Sequence, residues 1–357
     1  MNDLNQIKYS VVIITLLSLA SVSSSHAKKP LFKDKEPIQA VLSAPLSQAY
    51  VQRKKEVRQY LDANFTYKNA NKDNKKLAVK IRTRGNFRRL NCAHPPLQLN
   101  FAKKQNDNTL FEKQNKLKLV GKCRDGKAYQ DYLGLEYLAY QIWQEVSDYH
   151  FKTRLVELSY VDTDGKKKPW STTTFLIEDV DELAKRYKRK VLDVEKIKRQ
   201  QLDLAQTALL ELFQLIIGNT DYSTLTGPAG KICCHNTRLI IGKESVKKII
   251  PVPYDFDVSG FVNPPYATTP AAYPIKRVRQ RYFTGWCKED RHYTNAIERF
   301  NESKTEIIRL VSSSGLLSER SINQTLKYVD SFYALINDDA RVKKEILGRC
   351  RGKVIKG

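Results

Sequence analysis

Between residues 77 and 178 the chain alternates. The stretches "LAVKIRTRGNF", "PPLQLNF", "NKLKLV", "RLVELSYVD" and "TTTFLIE" are short and apolar-alternating, and turns rich in Gly, Asn, Asp or Lys separate them. A period of two puts successive side chains on opposite faces of a strand, so this half is expected to form a twisted antiparallel sheet. Asp164-Gly165, inside "YVDTDGKKKPW", is a hairpin signal between two of the runs.

One helix interrupts the strands. In "DYLGLEYLAYQIWQEVS" the residues Tyr132, Leu135, Ala139, Ile142, Trp143 and Val146 follow three-four spacing, and Glu136 lies on that same face. A carboxylate among core-facing residues needs a partner. Lys118 in "KLKLV" points away from the side taken by Leu117 and Leu119, so it is the expected cation; the alternative is a Glu136 at the stripe's edge, in water. The second half opens with a longer helix, with Leu202, Ala205, Leu209, Leu212, Phe213 and Ile216 on one face and Gly218 as its stop. "NAIERFNESKTEIIRLV" and "NQTLKYVDSFYALIN" are amphipathic and are expected to pack as helices near the end.

Composition excludes a disordered chain, since 41% of 357 residues are hydrophobic. Lys and Arg total 62 against 38 acidic residues, a net charge of +24, which suggests an anionic partner such as nucleic acid, lipid headgroups, an envelope polymer or a phosphorylated substrate. Near the start, Lys8, the apolar run from Val11 to Ala20 and the small residues of Ser25-His26-Ala27 read as a signal peptide over 1–27, cleaved after Ala27; a retained anchor is the alternative. Export to the periplasm or beyond makes disulfides the expected state of six cysteines that show no CxxC and no paired His spacing. Cys92 with Cys123 is the first expected bridge.

The chemistry concentrates at acidic and amide residues after the long helix. Asp221 follows its end, His235-Asn236 precedes the strand "TRLII", and "IIPVP" runs into "YDFDVSG" with Asp255 and Asp257. Carboxylates beside so apolar a strand are costly unless something positive or hydrogen-bonding meets them. Phosphoryl transfer uses one carboxylate to orient an acceptor hydroxyl, and an amide with a second carboxylate to hold Mg²⁺, which prefers oxygen ligands and keeps several waters. Asp221, Asn236 and Asp255 match those roles, Asp257 is a second ligand or a cap on the turn at Ser259-Gly260, and His235 is structural. Each also has a plainer reading: Asp221 as a turn cap, Asn236 as a loop amide.

"IRTRGNF", "PPLQLNF", "LGLEYLAYQIW", "FLIEDVDELAKR", "IGNTDYS", "HN" and "VPYDFDVSG" together make the chain, from about 77 to about 285, similar to the spore-coat CotH kinase-like family and an exported bacterial group related to it. The last three also resemble the HipA and phosphatidylinositol-kinase branch of atypical kinases. The resemblance implies an α+β, atypical protein-kinase-like two-lobed fold: an antiparallel-sheet N-lobe with one helix (28–178) and a mainly helical C-lobe (179–357). It implies a hinge near Glu178, Asp221 as catalytic aspartate, Asn236 and Asp255 as metal ligands, and ATP with Mg or Mn as cofactor. The chain departs from the family in having no GxGxxG loop and in a spacing of 15 positions from Asp221 to Asn236. It also lacks the family's basic residues in "PPLQLNF", so Lys118 or Lys116 becomes the candidate nucleotide lysine. Phosphate contact then falls to the turn Arg84-Gly85-Asn86.

The expected function is thus an exported kinase-like phosphotransferase acting on a protein or envelope-associated acceptor, with "NPPYATTPAAYPIKRVRQRYFTGWC" as a loop able to receive an acidic one. A noncatalytic kinase-like scaffold and a basic polyanion binder are the alternatives; nucleic acid is the least favoured partner.

Overall fold

The computed structural model describes residues 31–69, 71–242 and 248–356. The expected signal peptide, 1–27, lies outside them.

In the first half the elements are β1 (Ile38–Ala44), α1 (Leu46–Gln52), β2 (Leu61–Lys68), β3 (Asn74–Thr83), α2 (Phe87–Asn91), β4 (Leu97–Phe101), β5 (Lys116–Val120), α3 (Lys127–Val146), β6 (Thr153–Asp162) and β7 (Trp170–Ile177). The strands close into a barrel in the order β1-β2-β3-β4-β5-β7-β6. Closure comes from β1 lying parallel to β6, from Ile38 opposite Val156 to Ala44 opposite Asp162; the other neighbours are antiparallel.

This corrects the expected architecture. A kinase-like two-lobed fold has an open antiparallel sheet as its N-lobe, whereas here the sheet is closed and one pairing is parallel. The physical reason is two strands that the alternation from 77 onward does not include. β1 and β2 bury every second residue, and their addition removes the edges that an open sheet would leave unpaired. Phe65, Tyr67, Phe101 and Phe111 then fill the interior, with Phe65 5.3 Å and Phe101 4.9 Å from Phe111 between ring centroids. What the chain adopts is a mixed α+β structure, a seven-stranded barrel with helices packed against it.

The second half contains α4 (Val180–Arg186), β8 (Lys190–Val191), α5 (Leu204–Ile216), β9 (Thr237–Ile241), β10 (Ile250–Pro253), β11 (Trp286–Lys288), α6 (Asp290–Glu302), α7 (Lys304–Ser312), α8 (Glu319–Ile336) and β12 (Arg351–Ile355). Strand β7 joins the halves: Leu176 belongs to the barrel interior while Phe175 and Ile177 belong to the helical core. Tyr137 and Tyr140 of α3 cover Phe175, and Trp143 meets Phe213 of α5 at 4.9 Å. Each such side chain, fully buried, contributes about 1.5–3 kcal/mol. Helix α5 ends where expected: Gly218 takes φ +59°, and a Cβ there would strike the Tyr328 hydroxyl.

Cys92 and Cys123 are bridged, as expected, with Cα atoms 4.7 Å apart; Cys287 pairs with Cys350, and Cys233 with Cys234. Three bridges fit an oxidising compartment. Among the described residues no helix is long and apolar enough to cross a membrane.

Candidate functional site

The antiparallel hairpin β9–β10 positions the acidic and amide residues. Its register sets Pro253 opposite Thr237, and beyond it the Tyr254 amide donates to the Asn236 carbonyl at 3.0 Å, so Asn236 and Asp255 flank the same hairpin end. Both take left-handed backbones, φ +50° and +65°, which short polar side chains tolerate better than most. The Asp255 amide donates to the Tyr140 hydroxyl of α3 at 3.0 Å, which anchors this turn to the helical core.

Asn236 in turn fixes Asp221. Its Nδ2 donates to the Asp221 carbonyl oxygen at 2.7 Å and to Oδ2 at 2.9 Å, while His235 Nε2 lies 2.7 Å from Oδ1. That hydrogen bond with Asp221 raises the His235 pKa above the usual histidine value, with burial opposing. The 14 residues between Asp221 and Asn236 therefore form a loop that returns to Asp221. Asn236 thus bonds Asp221 and stands at the same hairpin end as Asp255, whose charge also reaches His235.

Lys118 faces outward from the barrel into this region, with its ammonium 4.2 Å from the centroid of Tyr254. Partial burial first, and the Arg84 charge second, lower its pKa to about 7, with Asp255 opposing. Lys118 and Asp255 are close enough for their charges to interact, yet neither has an ion-pair partner within 4 Å among the described residues. Asp179 was not singled out from the sequence; it caps α4 by accepting from the Asp181 amide at 3.0 Å, and it also lies within electrostatic reach of Lys118. Lys116 is exposed on the same strand.

Glu136 is not paired with Lys118. It is buried on α3, where Arg88 Nη1 of α2 donates to Oε2 at 2.8 Å, and Arg88 Nη2 also donates to the Gly121 carbonyl at 2.5 Å. Burial opposes the Arg88 charge, but Glu136, Tyr266, Asp257 and Asp255 together hold it protonated. Asp257 is also buried, 3.8 Å from Arg88 Nε and 3.2 Å from the Tyr266 hydroxyl, which donates to it. Burial, then the Asp255 charge, push its pKa up to about 8. Asp257 thus belongs to a small pocket lined by Arg88, Glu136, Tyr129, Tyr132 and Tyr266. Nothing in the alternation or helix periodicity singles out Arg88, which sits in the two-arginine run of "NFRRLN".

Glu178, expected near a hinge, has its carboxylate occupied: Oε2 accepts from Arg186 Nη2 at 2.8 Å and from the Lys152 amide at 3.1 Å. Arg84 stands on the turn before α2, whose Gly85 takes φ +79°, and its amide donates to Pro96 at 2.9 Å. Arg281, one of the basic residues in the expected acceptor loop, bonds the carbonyls of Leu215, Ile216 and Tyr328, and so holds the loop to the end of α5.

The donor set suits a hard cation only in part. Asp255 offers a half-buried carboxylate with no cation within 4 Å among the described residues, and Asn236 commits its amide nitrogen to Asp221, with no hydrogen bond to its side-chain oxygen among the described residues. Two such oxygens fit Mg²⁺ or Mn²⁺ completed by water and phosphate. No group of three or more His, Cys, Asp or Glu side chains able to hold a metal occurs among the described residues. Comparisons with protein-family models, curated proteins and solved structures found no match.

Proposed function

We propose that this chain is a metal-dependent phosphotransferase that takes a nucleoside triphosphate and acts in an oxidising, exported setting on a protein or envelope-associated acceptor. The observation that supports this reading is charge without a close partner at one hairpin end: Lys118 and Asp255 interact electrostatically, Arg84 adds to the positive side, and neither Lys118 nor Asp255 has an ion-pair partner within 4 Å among the described residues. A metal–phosphate unit has the complementary charges. In this reading Asp255 and Asn236 hold the metal, Lys118 and Arg84 bind phosphate oxygens, and Asp221, oriented by Asn236 and His235, accepts the proton of the acceptor hydroxyl. The bound metal supplies charge neutralisation of the transferring phosphoryl group. The likeness in motifs to CotH-type proteins is part of this proposal, on a barrel architecture rather than theirs.

A noncatalytic nucleotide binder is the second reading, favoured by one specific observation: Glu136 is committed to Arg88, so no acidic partner holds Lys118 in a fixed position.

The test is thermal unfolding of the wild type and Asp255→Ala with MgATP or MnATP, followed by release of labelled γ-phosphate. A ligand that binds only the native state raises the melting temperature. Stabilisation of the wild type alone supports the site, and γ-phosphate release then separates turnover from binding. No stabilisation across several nucleotides overturns both readings.

A further inference from the structure

Six large apolar side chains stand exposed among the described residues, and four of them fall in two adjoining segments. Val51 (72% exposed) and Val57 (81%) belong to the end of α1 and the loop after it, and Phe87 (48%) and Leu90 (47%) lie one turn apart on α2. Arginines tie the two segments together. Arg53 Nη1 donates to the Cys92 carbonyl at 2.7 Å, Arg89 donates to the carbonyls of Gly85 and Arg53, and Arg58 Nε donates to Thr83 at 3.1 Å.

These guanidinium groups are held by carbonyls and not neutralised. Among the described residues, Arg53, Arg58, Arg82, Arg84 and Arg89 have no carboxylate within 4 Å, while the neighbouring buried Arg88 has two. Burial and the charges of Arg89 and Arg82 lower the pKa of Arg58, as expected for cations crowded without a counter-ion. Lys54, Lys166 and Lys167 extend the basic surface around a groove shared with Arg53 and Val51.

We propose that this face, formed by residues 51–58, Arg82 and α2, docks on an anionic phospholipid bilayer. Val51, Val57, Phe87 and Leu90 enter the boundary between headgroups and acyl chains, and the surrounding arginines and lysines meet the lipid phosphates. The apolar residues decide between a bilayer and a soluble polyanion. A single-stranded nucleic acid is gripped by basic side chains interleaved with aromatic faces, and three of these four residues are aliphatic, with no face on which a base stacks. Three aliphatic side chains and Phe87, set among cations that outnumber the one carboxylate of residues 51–58, Glu56, match the two parts of an anionic lipid surface. This inference is independent of nucleotide binding.

Flotation of the full chain with vesicles tests it, using phosphatidylcholine alone and an equal mixture of phosphatidylcholine and phosphatidylglycerol. The neutral vesicles measure any pull from the apolar run Val11 to Ala20. The expected result is at least about tenfold stronger partitioning to the anionic vesicles, weakened by high salt. The variant V51S/V57S/F87S/L90S is expected to lose about tenfold of it, and the control I232S/V354S, which removes the other two exposed apolar residues, none. A second variant, K54Q/R82Q, keeps the apolar residues and is expected to lose roughly fivefold per charge. Equal partitioning to both vesicle types overturns the proposal. So does wild-type partitioning by the apolar variant, including the case where heparin competes and only the charge variant responds, which assigns the face to a polyanionic polymer.

Discussion

Arg88 on α2 and Glu136 on α3 form a buried ion pair at 2.8 Å, which takes the carboxylate that Lys118 was expected to use. Helix α2 has only five residues and cannot hold itself in place, so this pair and the Cys92–Cys123 bridge fix it against α3. Removing Arg88 leaves Glu136 buried without its cation, and removing Glu136 leaves Arg88 with only Asp257, 3.8 Å away. Glu136→Leu is therefore expected to cost about 3–5 kcal/mol in urea unfolding, whereas Arg88→Met/Glu136→Leu recovers much of that loss. If the double variant loses the sum of the two single effects, the pair has no coupling and the assignment is wrong.

The bridge makes a separate prediction. Cys92 and Cys123 are 31 residues apart, and opening a loop of that length releases about 3–4 kcal/mol of denatured-state constraint at 25 °C. Cys92→Ser/Cys123→Ser should lower stability by about that amount in urea titration. It should also expose the α2 region to proteolysis before the barrel. Cleavage first at a barrel strand would mean that α2 is held without the bridge.

How far the sequence revealed this structure depends on the range of the interaction involved. Helix α3, its buried Glu136, helix α5 with its glycine stop and the Asp164-Gly165 hairpin all follow from local periodicity or turn chemistry, and they are present. The barrel was not legible, because closure depends on β1 meeting β6 across more than 100 residues, and alternation within a strand says nothing about which strand it pairs with. The site was legible in part. Asn236 and Asp255 stand at the same end of one hairpin, as their order suggested, and Asp221 joins them through its hydrogen bonds with the Asn236 side chain. Arg88 was not foreseeable: a surface-like arginine in a five-residue helix becomes buried only through the disulfide and the fold of the barrel around it.

Lys118 and Glu136 separate the proposed phosphate site from a structural ion pair. Among the described residues Lys118 has no carboxylate within 4 Å, and it stands over Tyr254, so a bound phosphate would be its first strong partner. Charge-assisted hydrogen bonds contribute about 1.5–3 kcal/mol, so Lys118→Met should weaken MnATP affinity roughly tenfold or more while hardly changing the melting temperature of the free protein. Glu136→Gln should do the reverse, lowering stability with little effect on affinity. Isothermal titration alongside melting curves reads both. Equal nucleotide affinity for Lys118→Met and wild type would remove Lys118 from the site.

His150 supplies a pH dependence away from the site. Its Nδ1 lies 2.7 Å from the Ser147 carbonyl, and burial, with the Arg186 charge nearby, lowers its pKa from 6.5 to about 4 despite that bond. A histidine held neutral in the folded state takes up a proton more readily once unfolded. Between about pH 4 and 6.5 the unfolded chain therefore binds more protons, and linkage makes stability rise with pH across that window. The contribution is complete above the unfolded value and is lost as pH falls towards the folded one. Melting temperatures of the wild type should fall by a few degrees from pH 7 to pH 4.5. His150→Asn keeps a donor towards Ser147 but has no proton to gain, so its decline over that range should be shallower. Parallel curves for the two proteins would show that His150 is charged at no cost and that the acid sensitivity lies with the carboxylate pairs instead.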